Sequence, residues 1–302
     1  MGANTKIEWT HTPRPDGTMA PGYSFNPWVG CQRVSPGCQH CYAEAMNKRT
    51  GGGNWGPGAP RRVTSESYWR QPLKWNREAE AAGERRKVFC ASMADVFDAD
   101  APVGALERLW GLIRQTPNLD WLLLTKRPER IADSLPSDWG DGYPNVWLGA
   151  TAEDQEMADK RIPILLSVPA VVRFLSLEPL LGPVGLTALR VSERCQGCSE
   201  MPRADALEGL EYCGCTVEGG EPLDWGSIDW LIVGAESGPN RRPFEITWLR
   251  EIAETCISAG VPVFVKQGSA AGPGQQGRIP DDMWALKQFP TPREAVQKET
   301  TP

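Results

Sequence analysis

The chain has 302 residues, 40% of them hydrophobic and 23% charged, enough for one α/β barrel with insertions, so length alone does not force two domains. Its longest apolar runs, such as 121–124, fall far short of the roughly 20 residues that cross a bilayer, which excludes a helical membrane protein. The formal charge of −6 is concentrated in 195–224, and two histidines, His11 and His40, are too few for a centre built from several imidazoles. The segment after Met1 shows no apolar export signal, so nine cysteines read as metal ligands rather than disulfides, and a reducing, cytoplasmic setting is expected.

Short runs of large and β-branched apolar residues recur at 87–91, 121–125, 146–150, 171–177, 230–233 and 261–265, with a first strand expected within 22–29. Between most of them lie helical patterns, such as Leu106, Leu109, Leu112 and Ile113, or Trp248, Leu249, Ile252, Ala253 and Ile257. About seven βα units imply an α/β fold, a partial or full parallel βα barrel spanning 1–190 and 227–290. Gly51, Gly52, Gly53, Gly56 and Gly58 with Pro57 and Pro60 predict a flexible loop without a core of its own. Residues 191–226 form an acidic insertion, and 291–302 read as a frayed tail.

A local excess of basic residues over 47–87 is interleaved with Trp55, Tyr68, Trp69 and Trp75. Arg61, Arg62 and Lys74 would line a nucleic-acid groove there, unless the stretch is a solvated helical face over core aromatics. Barrel enzymes work at the carboxyl ends of their strands, and here nearly every end carries a charged or polar group. Lys126, Arg127, Glu178, Glu236 and Lys266 are the candidates for substrate contact.

Cys31, Cys38 and Cys41 are spaced Cys-x6-Cys-x2-Cys just beyond the first expected strand. Three thiolates holding a cube of four irons leave one iron without a protein ligand, and that position can take the amino and carboxylate groups of S-adenosylmethionine. Zinc, or ordinary buried cysteines, are the alternatives; zinc needs a fourth ligand, for which His40 inside the tight knuckle is poorly placed. Cys195, Cys198, Cys213 and Cys215 form two close pairs suited to a four-thiolate site, for structural zinc (Zn2+) or an auxiliary iron–sulfur cluster. Cys90 and Cys256 read as small core residues.

The segments Thr5-Lys6-Ile7-Glu8-Trp9-Thr10, 30–44, Leu124-Thr125-Lys126-Arg127-Pro128-Glu129-Arg130, 145–149, 173–183 and 233–239 resemble a phage-associated family similar to radical S-adenosylmethionine (radical SAM) enzymes and, more distantly, to spore photoproduct lyase. The resemblance runs from about residue 5 to 268 and implies a radical SAM type barrel with a 4Fe-4S cluster on Cys31, Cys38 and Cys41. It departs from the usual pattern in the six-residue first spacing and in His40, where an aromatic residue is usual. It further implies that Ser92 and Asp95 lie near the methionine moiety of S-adenosylmethionine, and Thr151, Glu153 or Glu178 near its ribose. The expected activity is generation of a 5'-deoxyadenosyl radical that acts on a nucleic-acid base or nucleoside, with an external electron donor. A non-enzymatic metal-stabilised binding module and a radical enzyme acting on a small molecule are the competing readings.

Overall fold

The computed structural model describes residues 5–186 and 228–290. The expected four-thiolate site at Cys195, Cys198, Cys213 and Cys215 and the tail 291–302 lie outside them. Seven strands form one sheet: β1 (Tyr23–Ser24), β2 (Arg86–Cys90), β3 (Leu119–Thr125), β4 (Val146–Thr151), β5 (Val172–Leu177), β6 (Trp230–Gly234) and β7 (Val263–Gln267). They lie side by side in chain order and every pairing is parallel. The sheet curls into a half-barrel whose edge strands β1 and β7 do not pair with each other. The free edge of β7 is covered by 286–288, through Val265 N–H donating to Leu286 O and Gln288 N–H to Val263 O.

The strands form where the sequence offers unbroken apolar runs because both faces of the sheet are buried. On the outer face Val88, Leu123, Leu148, Leu175, Leu231 and Val263 pack in one cluster with residues of the helices α2 (Gln71–Ala81), α3 (Ala105–Arg114), α4 (Gln155–Ser167) and α5 (Ile246–Ser258). Leu109, Leu112 and Ile113 of α3 and Leu249, Ile252 and Ala253 of α5 supply that contact at the expected spacing, whereas Ile257 is 52% exposed. Cys90 and Cys256 are buried core residues, as expected. Asp154 starts α4, its side chain accepting from Met157 N–H at 2.9 Å.

The opposite parity on the same strands places Phe89, Leu122, Trp147, Phe174, Trp230 and Phe264 in a second cluster inside the curl. Trp9 closes this cluster, its ring 4.7 Å from Phe89 and 6.2 Å from Trp230. Gly149 lets the Phe174 ring lie against β4, since a Cβ there would come within 2.3 Å of it. The floor of the half-barrel is therefore solid and apolar, and any chemistry must sit above it, at the carboxyl ends. No helix among the described residues is long and apolar enough to cross a membrane.

Two expectations for 47–87 are corrected. Arg61 does not line a groove: its side chain and that of Asp98 are both 0% exposed, with Nε–Oδ2 at 2.7 Å. Its guanidinium also donates to Gly56 O and Ala59 O at 3.1 and 2.7 Å, so the glycine-rich loop is pinned rather than free. The interleaved aromatics are core: Trp69 and Trp75 are buried, and Tyr68 stacks on Phe25 at 5.2 Å. Arg62 and Lys74 are exposed.

Candidate functional site

The chain leaving β1 pairs briefly with Arg62–Val63 through Trp28–Val29, then delivers Cys31, a short turn over Pro36–Cys38, and α1 (Tyr42–Arg49), which Cys41 precedes. This cysteine loop crosses the carboxyl mouth of the half-barrel and is tied to four strand ends. Beyond β2, Tyr42 Oη donates to Ser92 O at 2.8 Å. Beyond β3, Arg127 lies 3.6 Å from Cys31 Sγ and donates to Gln32 O at 3.0 Å. Beyond β4, Glu153 Oε1 accepts from Gly37 N–H at 2.9 Å. Beyond β6, His40 Nδ1 lies 3.0 Å from Glu236 Oε2, and Arg242 bridges Glu236 to Pro36 O.

Three of the four tethers involve an ion pair: Arg127 with Asp95, Glu153 with Arg161, and Glu236 with Arg242. Glu153, wholly enclosed, is held by Arg161 at 2.8 Å, and although burial opposes its charge, Arg161 keeps its carboxyl below the usual range. Burial also opposes the charge of Glu236, yet hydrogen bonds from Arg242 pull it down to about 2. Asp95 spends both carboxylate oxygens locally, accepting from Thr125 Oγ1 (2.7 Å) and Phe97 N–H (3.0 Å) on one, and from Lys126 N–H (3.1 Å) and Arg127 (2.9 Å) on the other. It thereby locks the ends of β2 and β3 together under Cys31. Burial pushes the Cys31 thiol up to about 12, with Asp95 adding to the shift and Arg127 opposing it.

Of the residues singled out from sequence, Cys31, Cys38, Cys41, Ser92, Asp95, Arg127, Glu153 and Glu236 thus belong to one connected mouth, the charged ones engaged with the loop or its supports. Thr151 is buried beneath the rim, its carbonyl accepting from Arg161 at 2.7 Å. Lys126 is half-buried, close enough for its charge to act on Glu153, and its ammonium makes no hydrogen bond or ion pair among the described residues. Glu178 and Lys266 pair with each other at 2.5 Å inside the mouth. Tyr42, Gly37, Arg161, Arg242, Asp98 and the two partners of Ser92, Ser24 and Asn26, each 3.1 Å from its hydroxyl, escaped sequence reading. Tyr42 alone carried a signal, as an aromatic residue directly after the last cysteine.

Among the described residues, no three His, Cys, Asp or Glu side chains are gathered closely enough to hold a metal ion. In number and kind the donor set nevertheless fits an open-sided iron–sulfur cluster: three thiols without disulfide partners, each partly exposed, on one tethered loop.

The fold and site define a parallel α/β half-barrel with a three-cysteine loop held across its carboxyl mouth. The chain belongs to the family described as a protein of unknown function (DUF5131), whose model matches residues 4–288. No curated protein matches it. Among solved structures it is similar to a doubly substituted variant of spore photoproduct lyase with AdoMet and a dinucleoside spore photoproduct bound, at 12% identity and a TM-score of 0.39. That match covers 58% of this chain and 50% of the other, so the chain matches about half of the lyase's length.

Proposed function

We propose that this protein is a radical SAM enzyme. The observation that carries the reading is the tethered loop itself, which presents Cys31, Cys38 and Cys41 at the one end of a parallel barrel where enzymes of this architecture do chemistry. Those three residues would hold a 4Fe-4S cluster, which when bound supplies the electron that cleaves the sulfonium of S-adenosylmethionine. Arg127 places a fixed positive charge beside Cys31, which opposes in part the burial that raises this thiol. Glu153 and Glu236, anchored by Arg161 and Arg242, orient the loop above the mouth. The apolar floor of Phe89, Leu122, Trp147 and Phe174 excludes water from below, a requirement for chemistry that passes through reactive radicals. Ser92 and Lys126, half-buried just beyond strand ends, stand where S-adenosylmethionine and a substrate would meet.

The test is iron content after anaerobic reconstitution. Cys31→Ala, Cys38→Ala and Cys41→Ala should each lose the iron that wild type and Cys90→Ala retain, because three thiolates are the minimum protein ligation for an open-sided cube. Any of the three that keeps wild-type iron overturns the ligand assignment.

A further inference from the structure

The three cysteines of the loop do not meet the same surroundings. Cys31 is fixed on both sides along the backbone: Gly30 N–H donates to Met93 O at 3.0 Å beyond β2, and Gly56 N–H of the glycine-rich loop donates to Cys31 O at 2.9 Å. Gly30 is required for this path, because its φ of +130° favours glycine and a Cβ there would stand 2.5 Å from Asn54 O. Two N–H groups of the Arg127 guanidinium then face the Cys31 sulfur, Nη1 at 3.6 Å and Nη2 at 3.7 Å, while Nη2 also donates to Gln32 O at 3.0 Å. Among the described residues no cation is hydrogen-bonded to the sulfur of Cys38 or Cys41; the sulfur of Cys38 has the Ser35 hydroxyl 4.0 Å away.

This guanidinium is built into the protein rather than laid over the loop from solvent. Its side chain is 4% exposed, Asp95 Oδ2 accepts from Nη1 at 2.9 Å, and Asp98 stands 3.8 Å from Nη2. Asp98 is in turn gripped by the enclosed Arg61 at 2.7 Å, so the support of Arg127 is itself buried. Among the described residues neither carboxylate is hydrogen-bonded to the Cys31 sulfur, whereas two guanidinium N–H groups are. A charge so enclosed is little screened by water or salt. Taking up an electron makes a thiolate-bound iron–sulfur cluster more negative, and N–H donors with a fixed cation at a ligand sulfur favour that more negative state.

We propose that Arg127 is a positioning residue that acts through the Cys31 sulfur to raise the reduction potential of the cluster, so that an external donor can deliver its electron more readily. The proposal rests on the radical SAM reading, which supplies the cluster. The electron comes from a one-electron reductant, dithionite in the test below, and no bond forms or breaks in this step. Cys38 and Cys41, without such a cation, leave the effect to a single ligand.

The test is the ratio of reduced to oxidised cluster in the anaerobically reconstituted full chain, without S-adenosylmethionine, titrated with dithionite and poised at the wild-type midpoint. Electron paramagnetic resonance reads it on the signal that Cys38→Ala removes. Arg127→Gln, which keeps an N–H and loses the charge, should lower the ratio by at least about tenfold, equivalent to about 59 mV for a one-electron couple. Arg127→Lys, which restores the charge, should stay within about threefold of wild type. So should Arg33→Gln, which removes a 54% exposed cation of the same loop, since solvent and salt screen that charge. An Arg127→Gln ratio equal to that of wild type overturns the proposal. An equal fall in Arg33→Gln overturns it too, by making the effect one of loop charge in general, as does an equal fall in Arg127→Lys, by making it one of lost packing. Failure of both Arg127 variants to take up iron would make Arg127 a support of the loop and overturn the tuning role. Wild-type protein that takes up no iron refutes the radical SAM reading itself, whereas full iron with a ratio unmoved in Arg127→Gln refutes this inference alone.

Discussion

Adding one methyl group at Gly37 tests whether Glu153 holds the cysteine loop over the mouth. A Cβ on Gly37 would stand 2.9 Å from the Glu153 carboxylate, which cannot retreat because Arg161 grips its other oxygen at 2.8 Å. Gly37→Ala must therefore break the 2.9 Å bond from Gly37 N–H, and a hydrogen bond to a charged acceptor contributes about 2 kcal/mol. Local opening of 35–40 should become roughly thirty-fold more frequent, at about 1.4 kcal/mol per factor of ten. Hydrogen exchange of the loop amides and the alkylation rate of Cys38 both read that opening. Shortening the carboxylate with Glu153→Asp makes room for the methyl, so the double variant should recover part of the loss that Gly37→Ala causes alone. Unchanged exchange in Gly37→Ala would refute the view that this contact holds the loop.

Lys87 sits under the floor, its ammonium 4.7 Å from the Phe289 ring centre and bonded to His11 O at 2.9 Å, and burial lowers it to about 8 against the opposing pull of Asp120. The unfolded chain binds more protons between pH 8 and 10.5, so stability should rise by about 3 kcal/mol across that window and Lys87→Met should abolish the rise, as measured by urea midpoints. Arg61→Met leaves the enclosed Asp98 only the more distant Arg127, at 3.8 Å, as a cation and should cost about 3 kcal/mol of stability, whereas Arg62→Met should stay within about 0.5; equal effects in thermal melts would contradict the buried pair. A triple alanine variant of Cys31, Cys38 and Cys41 should still carry about one zinc by elemental analysis, on Cys195, Cys198, Cys213 and Cys215, and a folded variant without metal would remove that site.

The strands were legible because a sheet buried on both faces needs unbroken apolar runs, and six such runs fall where strands lie. Their ends shifted where backbone chemistry intervened. The last strand begins at Val263 rather than at 261, after Pro262, which has no N–H to give the sheet. β1 was placed only within a window because two residues, Tyr23–Ser24, carry no periodicity. Position at the carboxyl ends of the expected strands also marked Glu178, Glu236 and Lys266 as rim residues, but it could not supply their partners. Lys266 meets a glutamate 88 residues away and His40 one 196 away, and only the folded chain brings these together. Over 66–81 the stretch takes the form of its second reading, a solvated helical face over core aromatics, with buried tryptophans and exposed basic residues alternating along the same helices. Trp69, Trp75 and Ala79 share the inner face of 66–81 while Arg70, Lys74 and Arg77 take the outer one, a spacing that composition alone conceals.

The most direct measurement for the account as a whole is 5'-deoxyadenosine released from S-adenosylmethionine by the anaerobically reconstituted, chemically reduced protein. Release by wild type, abolished in Cys31→Ala, Cys38→Ala and Cys41→Ala, is the predicted result. Wild-type protein that carries its full iron, is reduced, and releases no 5'-deoxyadenosine would contradict the radical SAM reading.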